Sequence, residues 1–281
     1  MRRLLALIAL LTLPTLAAAQ TTRPSLPASG DEAADAITDQ TRHGEWVDID
    51  LDDGTSLRTW VVYPERSDPA PVVIVIHEIF GMSDWVRSVA DSFAEAGYVA
   101  IAPDMLSGKG PNGGNTDSFE GDAVRGAVRD LTDEEVVARL NAARTWALEQ
   151  PSTSESFAAV GFCWGGSTTF MYATQAPGLD AAIVYYGTAP SDVGALRNIE
   201  APVLGLYGGD DARVTSTVDA TEQAMAAAQK LYDVEIFDGA GHGFLRQQDG
   251  RDGANMQAAE QAWTRTLDFL KAHLDTADAG E

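Results

Sequence analysis

Short, continuous apolar runs alternate along this chain with longer amphipathic segments, and this alternation constrains the fold more than any other feature. The run 72–76 consists of valine and isoleucine without interruption. Uninterrupted β-branched residues are typical of a strand buried on both faces, as in a parallel sheet. The segment 84–95 instead repeats its apolar residues at helical spacing. Strands that alternate with helices indicate right-handed crossovers and an α/β fold.

The alternation continues along most of the chain. Strands are predicted over 45–50, 55–63, 72–76, 99–102, 157–160, 183–186, 203–207 and 234–237. Helices are predicted over 84–95, 133–150, 167–175, 217–230 and 255–274. Because the turn at 52–54 joins the first two strands as a hairpin, we expect a mostly parallel central sheet with helices on both faces and an antiparallel N-terminal edge hairpin. The Gly- and Asp-rich stretch 105–131 breaks the rhythm, and a loop of this length is typically functional or disordered.

Residues 1–19 have the three parts of a secretory signal peptide. Arg2 and Arg3 form a positive start, the apolar run 4–13 follows, and the alanines 17–19 resemble a cleavage site. The apolar run is too short to span a bilayer comfortably. We therefore expect export to the periplasm or the medium, with no stable membrane insertion after cleavage.

Behind the signal peptide we expect a flexible arm over 20–42 and a single domain over 43–281. The arm is polar and contains Pro24 and Pro27. The chain has 281 residues and no Pro/Gly/Ser-rich linker near its middle, so two compact domains would be cramped.

The chain is strongly acidic, with 42 acidic against 19 basic side chains and a net charge of −23. Such a surface repels nucleic acid phosphates and anionic membranes, so we expect no nucleic acid partner. The favoured interpretation is a surface that keeps the protein soluble. The alternative is adaptation to a salty medium, where ions screen the repulsion between like charges.

The single cysteine, Cys163, lies in Gly-Phe-Cys-Trp-Gly-Gly at 161–166, between a predicted strand and a predicted helix. This is the G-x-C-x-G form of a nucleophile elbow. Gly161 and Gly165 leave room for neighbouring backbone, and the helix N-terminus favours thiolate over thiol. The alternative is a small buried cysteine beside a Gly-rich turn, because free cysteines are often buried. The flanking glycines and the strand-to-helix position favour the nucleophile.

A thiol nucleophile needs a base, and the base needs a carboxylate to orient it. Of the four histidines, His242 follows the last predicted strand in the glycine-rich loop 239–244, at the edge where the elbow lies. An exposed loop histidine is the less favoured alternative. Asp210 and Asp211 follow the strand 203–207, and neighbouring side chains point different ways, so only one can contact His242. We prefer Asp211 and interpret Asp210 as a turn residue.

An oxyanion formed during acyl transfer needs two N–H donors. One is expected from the backbone of Trp164, the residue after the nucleophile. The other is expected from Ile79, in the loop that follows the first buried strand.

Four motifs in this order resemble the dienelactone hydrolase family. They are His-Glu-Ile-Phe-Gly at 77–81, Gly-Phe-Cys-Trp-Gly-Gly at 161–166, Gly-Gly-Asp-Asp at 208–211 and Gly-His-Gly-Phe at 241–244. The resemblance covers about 45–274. It implies an α/β-hydrolase fold and a triad of Cys163, Asp211 and His242.

The resemblance also implies supporting residues. Glu78 resembles a switch acid that helps to activate the cysteine when substrate arrives, and Arg246 stands where the family has an arginine that holds this glutamate or the substrate carboxylate. A second substrate-binding arginine of the family is missing after 103–104, and Lys109, Arg125 or Arg129 are candidates to replace it. Further substrate contacts are expected from Phe80 and Phe244.

The sequence therefore predicts a hydrolase that cleaves ester or lactone bonds of small molecules through a thioester on the cysteine. No metal site and no organic cofactor are expected, since the chain lacks phosphate-binding and zinc-binding motifs. The alternatives are a general carboxylesterase without lactone preference and a non-catalytic ligand-binding protein on the same fold. A thiol redox protein is the weakest alternative, because no second cysteine is available. The oligomeric state is open, with a monomer favoured.

Overall fold

Eight strands form one continuous sheet in the computed structural model, which describes residues 25–274. The strands are β1 (Gly44–Asp50), β2 (Ser56–Val62), β3 (Ala70–Ile76), β4 (Val99–Pro103), β5 (Thr153–Phe162), β6 (Ala181–Tyr185), β7 (Val203–Gly208) and β8 (Tyr232–Phe237). Their order across the sheet is β1-β2-β4-β3-β5-β6-β7-β8. β1 pairs with β2, and β2 with β4, in antiparallel fashion, and all other pairs are parallel. The prediction of a mostly parallel sheet with an antiparallel edge hairpin is confirmed.

Helices cover both faces of this sheet. They are α1 (Ala33–Thr38), α2 (Asp84–Glu95), α3 (Ala123–Arg129), α4 (Asp133–Leu148), α5 (Trp164–Ala173), α6 (Ala212–Thr215), α7 (Val218–Ala227) and α8 (Ala254–Leu274). One face packs against α1, α2 and α8, and the other against α4, α5 and α7. Strand β3 is apolar throughout because both of its faces are buried. Val73 and Val75 point into the core beneath α1, α2 and α8, and Val72, Ile74 and Ile76 point into the core on the other face. Within residues 25–274, no helix has the length and apolar character that a membrane span requires.

The stretch 105–131, expected as a functional or disordered loop, is folded. Its start is buried at Met105 and Leu106, and the hydroxyl of Thr116 donates a 2.6 Å hydrogen bond to Asp104. Two short 3₁₀ turns and helix α3 follow. The sequence does not predict α3, because a helix this short has little apolar periodicity and is held by its neighbours.

Residues 25–42, the described part of the segment expected as a flexible arm, lie against the domain. Helix α1 packs on α2 and buries Ala33. The N–H of Gly30 donates to the carbonyl of Arg246 at 2.8 Å, and the side chain of Gln248 donates to the carbonyl of Pro27 at 2.8 Å. The polar composition of residues 25–42 does not reveal these contacts, because this segment contributes only backbone groups to them, and every sequence carries such groups. The signal peptide predicted over 1–19 lies outside the described residues.

Helix α5 begins at Trp164, three residues earlier than the sequence predicts. The glycines at 165 and 166 have low helix propensity, which argues against a helix there. Both are nevertheless fully packed, because their missing side chains let α5 approach the ends of β3 and β6. Tertiary packing thus overrides local propensity at the point where the chain enters the candidate site.

Candidate active site

Cys163 occupies a sharp turn between β5 and α5. Its backbone φ is 57°, a left-handed conformation that is uncommon for a residue other than glycine. The turn needs its glycines, since a Cβ on Gly161 would collide with the Gly165 carbonyl and a Cβ on Gly165 with the Ile76 carbonyl. The N–H of Cys163 donates to the carbonyl of Tyr185 at 3.1 Å, which ties the turn to β6. The sulfur is therefore held at the carboxyl edge of the sheet, as the motif predicts.

The structure brings the cysteine, the histidine and one aspartate together. Nε2 of His242 lies 3.0 Å from Sγ of Cys163, and Nδ1 of His242 lies 2.5 Å from Oδ2 of Asp211. Asp211 is buried at the start of α6, whereas Asp210 is half-exposed and forms an ion pair with Arg251 at 3.1 Å. Of the two adjacent acids, Asp211 therefore contacts the histidine. The Nδ1–H of His242 donates to Asp211, which leaves Nε2 free to accept the thiol proton.

Burial raises the pKa of the Cys163 thiol, and the negative charge of Glu78 raises it further. The backbone N–H of Trp164 and the charge of Arg213 lower this pKa, but they do not reverse the shift. The sequence argument expected the helix N-terminus to favour thiolate. Desolvation outweighs it here, so the resting Cys163 side chain is favoured as the neutral thiol.

Glu78 follows β3 and is buried beside the cysteine, with its side chain only 4% exposed. Nε of Arg246 donates a 2.8 Å hydrogen bond to its Oε2. Burial raises the pKa of Glu78 to about 7, against the opposing effect of the Arg246 charge. A carboxyl group with this pKa changes its charge near neutral pH, which suits a group that exchanges protons.

The two expected oxyanion donors are the backbone N–H groups of Ile79, in the loop after β3, and of Trp164, the residue that follows the cysteine. The N–H of Ile79 has no hydrogen-bond acceptor within residues 25–274, and Trp164 is the first residue of α5, so both groups can receive a ligand. The buried ring of His77 stacks on Trp164 at 5.4 Å. His77 donates from Nδ1 to the Glu78 carbonyl and accepts at Nε2 from the N–H of Met105. It is therefore neutral, and it joins the loop after β3 to the loop after β4. Burial lowers its pKa, in agreement with the neutral form.

Among the residues predicted to contact substrate, Phe80 lies at the candidate site. Its ring is half-buried between Arg125 and Arg246, whose guanidinium carbons lie 5.0 and 4.8 Å from the ring centroid. Arg125 belongs to α3, so the folded insertion reaches the site with a guanidinium that contacts Phe80 and also forms an exposed ion pair with Asp122 at 3.2 Å. The sequence names Arg125 as a candidate for this position, but it cannot distinguish it from the other basic residues nearby.

Two further predicted contacts are placed elsewhere. Lys109 forms an ion pair with Glu135 on α4, so its charge is already neutralised away from the triad. Phe244 is fully buried and packs on Tyr186 and Phe237, which makes it a core residue below the site. Both predictions rested on position in the chain, whereas loop geometry determines the direction of a side chain.

Two residues of the site are missed by the sequence analysis. Arg213 lies on α6, and its Nη2 is 3.5 Å from Nδ1 of His242. Tyr186 follows β6 directly and places its ring 5.1 Å from the His242 ring. A signal was available for Tyr186, because a polar side chain immediately after a buried parallel strand lies at the ligand-binding edge.

The described residues show no metal-binding arrangement, since no group of three or more His, Cys, Asp or Glu side chains within 25–274 could hold an ion. The site instead has a thiol, an imidazole, two buried carboxyl groups and backbone donors. These groups are the ones that acyl transfer requires.

Comparisons with known proteins agree with this fold. Residues 57–274 match the model of the dienelactone hydrolase family. A candidate carboxymethylenebutenolidase of Escherichia coli (strain K12) is 32% identical over 231 residues, which cover 78% of this chain and 84% of that protein. A candidate 2-oxo-3-(5-oxofuran-2-ylidene)propanoate lactonase of a Bradyrhizobium species is 30% identical over 243 residues, 82% of this chain and 94% of that protein.

Solved structures give the same result. A candidate dienelactone hydrolase from Klebsiella pneumoniae superposes with a TM-score of 0.71 and 29% identity over 81% of this chain and 97% of that one. A dienelactone hydrolase-like promiscuous phosphotriesterase from metagenomic libraries superposes with a TM-score of 0.69 and 25% identity over 82% of this chain and 98% of that one. The chain has the α/β-hydrolase fold and belongs to the dienelactone hydrolase family.

Proposed function

We propose that this chain hydrolyses ester or lactone bonds of small molecules, with Cys163 as nucleophile, His242 as base and Asp211 as the carboxylate that orients the base. The observation that carries the proposal is the 3.0 Å approach of His242 Nε2 to the sulfur, with Asp211 on the other ring nitrogen. A nucleophile, a base and an orienting acid in hydrogen-bond reach are what covalent acyl transfer requires. The names of the relatives, which include a lactonase, favour lactones among the possible substrates.

The proposed cycle has two acyl-transfer steps. The thiol proton passes to His242, and the Cys163 thiolate attacks the carbonyl carbon while the N–H groups of Ile79 and Trp164 bind the oxyanion. The bond to the leaving oxygen breaks, that oxygen takes the proton from His242, and a thioester remains. Water then gives a proton to His242 and attacks the thioester, which releases the acid and restores the cysteine.

Glu78 gives this cycle a second proton acceptor. In the resting site Arg246 holds its carboxylate, and the Glu78 charge itself opposes thiolate formation. A substrate with its own anionic group competes for Arg246, and the released Glu78 can then take the thiol proton. This arrangement keeps the single cysteine protonated until substrate is present.

The decisive test is turnover of p-nitrophenyl acetate before and after alkylation of the protein with iodoacetamide. Because the chain has one cysteine, alkylation modifies Cys163 alone. We expect turnover to be lost on alkylation and in Cys163→Ala, with circular dichroism unchanged. Turnover by Cys163→Ala within about tenfold of the parent, about 1.4 kcal/mol in barrier, would reject the nucleophile.

A panel of lactones and linear esters separates the proposed lactone preference from general carboxylesterase activity. A kcat/KM for lactones at least about tenfold above that for matched linear esters supports the lactone assignment, and the reverse order supports a general esterase. Binding of these compounds without turnover supports a ligand-binding protein instead.

We also propose that the chain is exported and cleaved after residue 19. The supporting observation is the charge and hydrophobicity pattern of residues 1–19. Mass spectrometry of the protein from the periplasm or medium should find a chain that begins at Gln20. An intact N-terminus in the cytosolic fraction would contradict this proposal.

A further inference from the structure

Tyr186 is a buried phenol at the floor of the candidate site. It follows β6, is 1% exposed, and contacts the rings of His242 and Phe244 at centroid distances of 5.1 and 5.3 Å. Its N–H donates to the carbonyl of Leu206 at 2.9 Å, so the backbone is fixed between two central strands. The residue therefore lies on the same sheet edge as the proposed triad, although the cycle described above does not use it.

Two features of Tyr186 destabilise the fold. Its φ is 40°, a left-handed conformation that is strained for an aromatic residue. Its hydroxyl is buried without a hydrogen-bond partner within residues 25–274. A buried hydroxyl without a partner loses its hydrogen bonds to water and gains none in return. The backbone strain and the hydroxyl without a partner occur in one residue beside the candidate site. Such features are typically retained where they have a functional role.

The neighbouring charges indicate which group this donor serves. Glu78 lies beside the loop on which Tyr186 packs, since its Oε1 is 4.0 Å from the Cβ position of Gly243 and the Tyr186 ring contacts the chain neighbours of Gly243, His242 and Phe244. Burial raises the pKa of the Tyr186 phenol, and the negative charges of Glu78 and Cys163 raise it further. The phenol is therefore uncharged and remains a donor. Glu78 in the resting site is held by Arg246, at 2.8 Å.

We propose that Tyr186 is a positioning residue whose hydroxyl donates a hydrogen bond to the Glu78 carboxylate when a substrate anion takes Arg246 away. The inference rests on the proposed function, because it needs the exchange of Arg246 between Glu78 and substrate. Without a second donor, that exchange would leave an ionised carboxylate buried and unpaired, which is strongly unfavourable. Tyr186 supplies this donor and thereby keeps Glu78 ionised and able to accept the thiol proton.

The test is Tyr186→Phe, which removes the hydroxyl and keeps the ring. With mono-p-nitrophenyl succinate, an ester that carries an anionic group, kcat/KM should fall about tenfold to a hundredfold, mostly through kcat. The acid limb of the pH profile should move to higher pH, because the Glu78 carboxylate loses a donor. The melting temperature should stay the same or rise, since the hydroxyl has no partner to lose.

Tyr185→Phe is the matched control. Tyr185 is the adjacent residue and equally buried, but its hydroxyl forms a 2.6 Å hydrogen bond with Thr266 on α8. Its loss should lower the melting temperature and leave the acid limb unchanged. The two neighbouring tyrosines thus give opposite outcomes if the inference is correct.

A Glu78→Gln background shows whether Tyr186 acts through Glu78. The effect of Tyr186→Phe should disappear there, and an equal loss in both backgrounds would overturn the inference, because the hydroxyl would then serve another group. A Tyr186→Phe variant with kcat/KM and acid limb within about twofold of the parent would overturn it as well. The rate of Cys163 alkylation by iodoacetate, followed over pH, repeats the test without turnover.

Failure of the underlying proposal looks different. If Glu78→Gln keeps the parental rates and pH profile, the exchange of Arg246 is wrong and the inference falls with it. If the parent enzyme is insensitive to alkylation, the cysteine mechanism is wrong. If Glu78→Gln alters the rates, alkylation abolishes turnover, and Tyr186→Phe has no effect, only the role of Tyr186 is refuted.

Discussion

Asp210 and Asp211 are adjacent in the chain but lie in different environments. Asp211 is buried and contacts the histidine at 2.5 Å, whereas Asp210 is half-exposed beside Arg251. Two carboxylates one residue apart at this turn thus differ in burial and in the partner that each contacts. Burial and the histidine contact favour Asp211 as the orienting acid, because a desolvated carboxylate fixes the imidazole more firmly than a hydrated one.

We expect Asp211→Asn to lower kcat/KM by on the order of 10²–10⁴, because the amide no longer fixes the tautomer of His242. Asp210→Asn removes an exposed ion pair and should stay within about threefold of the parent. Steady-state kinetics with p-nitrophenyl acetate measure both. The opposite ranking of the two variants would transfer the acid's role to Asp210.

The raised pKa of Glu78 predicts that the stability of the fold depends on pH. Burial raises this pKa from the ordinary value of 4.5 to about 7, so the folded protein holds this proton more tightly than the unfolded chain. The stability contributed by the proton is present in full below about pH 4.5 and is lost as pH rises through about 7. We expect the free energy of unfolding of the parent, relative to Glu78→Gln, to fall across this window.

Urea denaturation from pH 4.5 to 8 measures this difference. Glu200→Gln, which changes an exposed glutamate before β7, outside the cluster of acidic residues near α4, serves as the control and should follow the parent at every pH. Parallel curves for the parent and Glu78→Gln would show that the buried carboxyl does not bind its proton more tightly in the folded state.

The junction between β5 and α5 positions Cys163 by close backbone contact. Gly165 sits against the carbonyls of Ile76 and His77, so α5 begins within contact distance of the end of β3. This contact places the turn that carries Cys163 against the end of β3, from which the loop with Glu78 and Ile79 continues. The geometry of the site thus depends on how closely one helix and one strand approach each other.

Gly165→Ala should destabilise the protein by at least about 3 kcal/mol, because the new methyl group meets backbone that cannot move aside. Gly126→Ala is the control, since Gly126 lies in α3 with open space around its α-carbon. That change should stabilise the protein by about 0.5–1 kcal/mol through the higher helix propensity of alanine. Thermal melts compare the two, and equal melting temperatures would refute the close-packing argument.

The sequence predicts the elements whose apolar pattern is long and regular. Helix α2 is predicted with its observed bounds, and β3 to within two residues, because burial of one or both faces imposes a period on the sequence. Helices α1, α3 and α6 are missed, since short helices depend on tertiary contacts rather than on their own pattern.

The same reasoning applies to the site. The sequence predicts that Cys163, Asp211 and His242 lie together, because they follow β5, β7 and β8 and parallel strands end at one edge of the sheet. Phe244 and Lys109 are misplaced, because the direction of a loop side chain follows backbone angles that no motif encodes.

The acidic composition is a property of the whole molecule and has one clear local concentration. A groove of about 1070 Å³ between the β1–β2 turn and α4 is lined by seven acidic side chains, Asp48, Asp50, Asp52, Asp53, Glu134, Glu135 and Glu149. Arg139, buried in its wall, is the basic side chain among the lining residues. Repulsion between these carboxylates opposes folding and weakens when salt screens it.

We expect the melting temperature to rise by at least about 3 °C between low and molar NaCl, given the net charge of −23. Charge reversal at two groove positions, Asp50→Lys and Glu149→Lys, should reproduce part of this gain at low salt. A melting temperature that does not change with NaCl would exclude self-repulsion as a significant term.

The hydrogen bond from Gly30 to the Arg246 carbonyl, and that from Gln248 to Pro27, tie the start of the described chain to the loop that holds Glu78 in place. Residues 25–42 precede the region that matches the family, which starts at residue 57. A protein trimmed to begin at residue 43 would keep every triad residue and still lose the support behind its arginine. A protein that begins at Gln20, the form expected from the proposed cleavage, keeps that support, so its catalytic rate should differ from that of the trimmed protein.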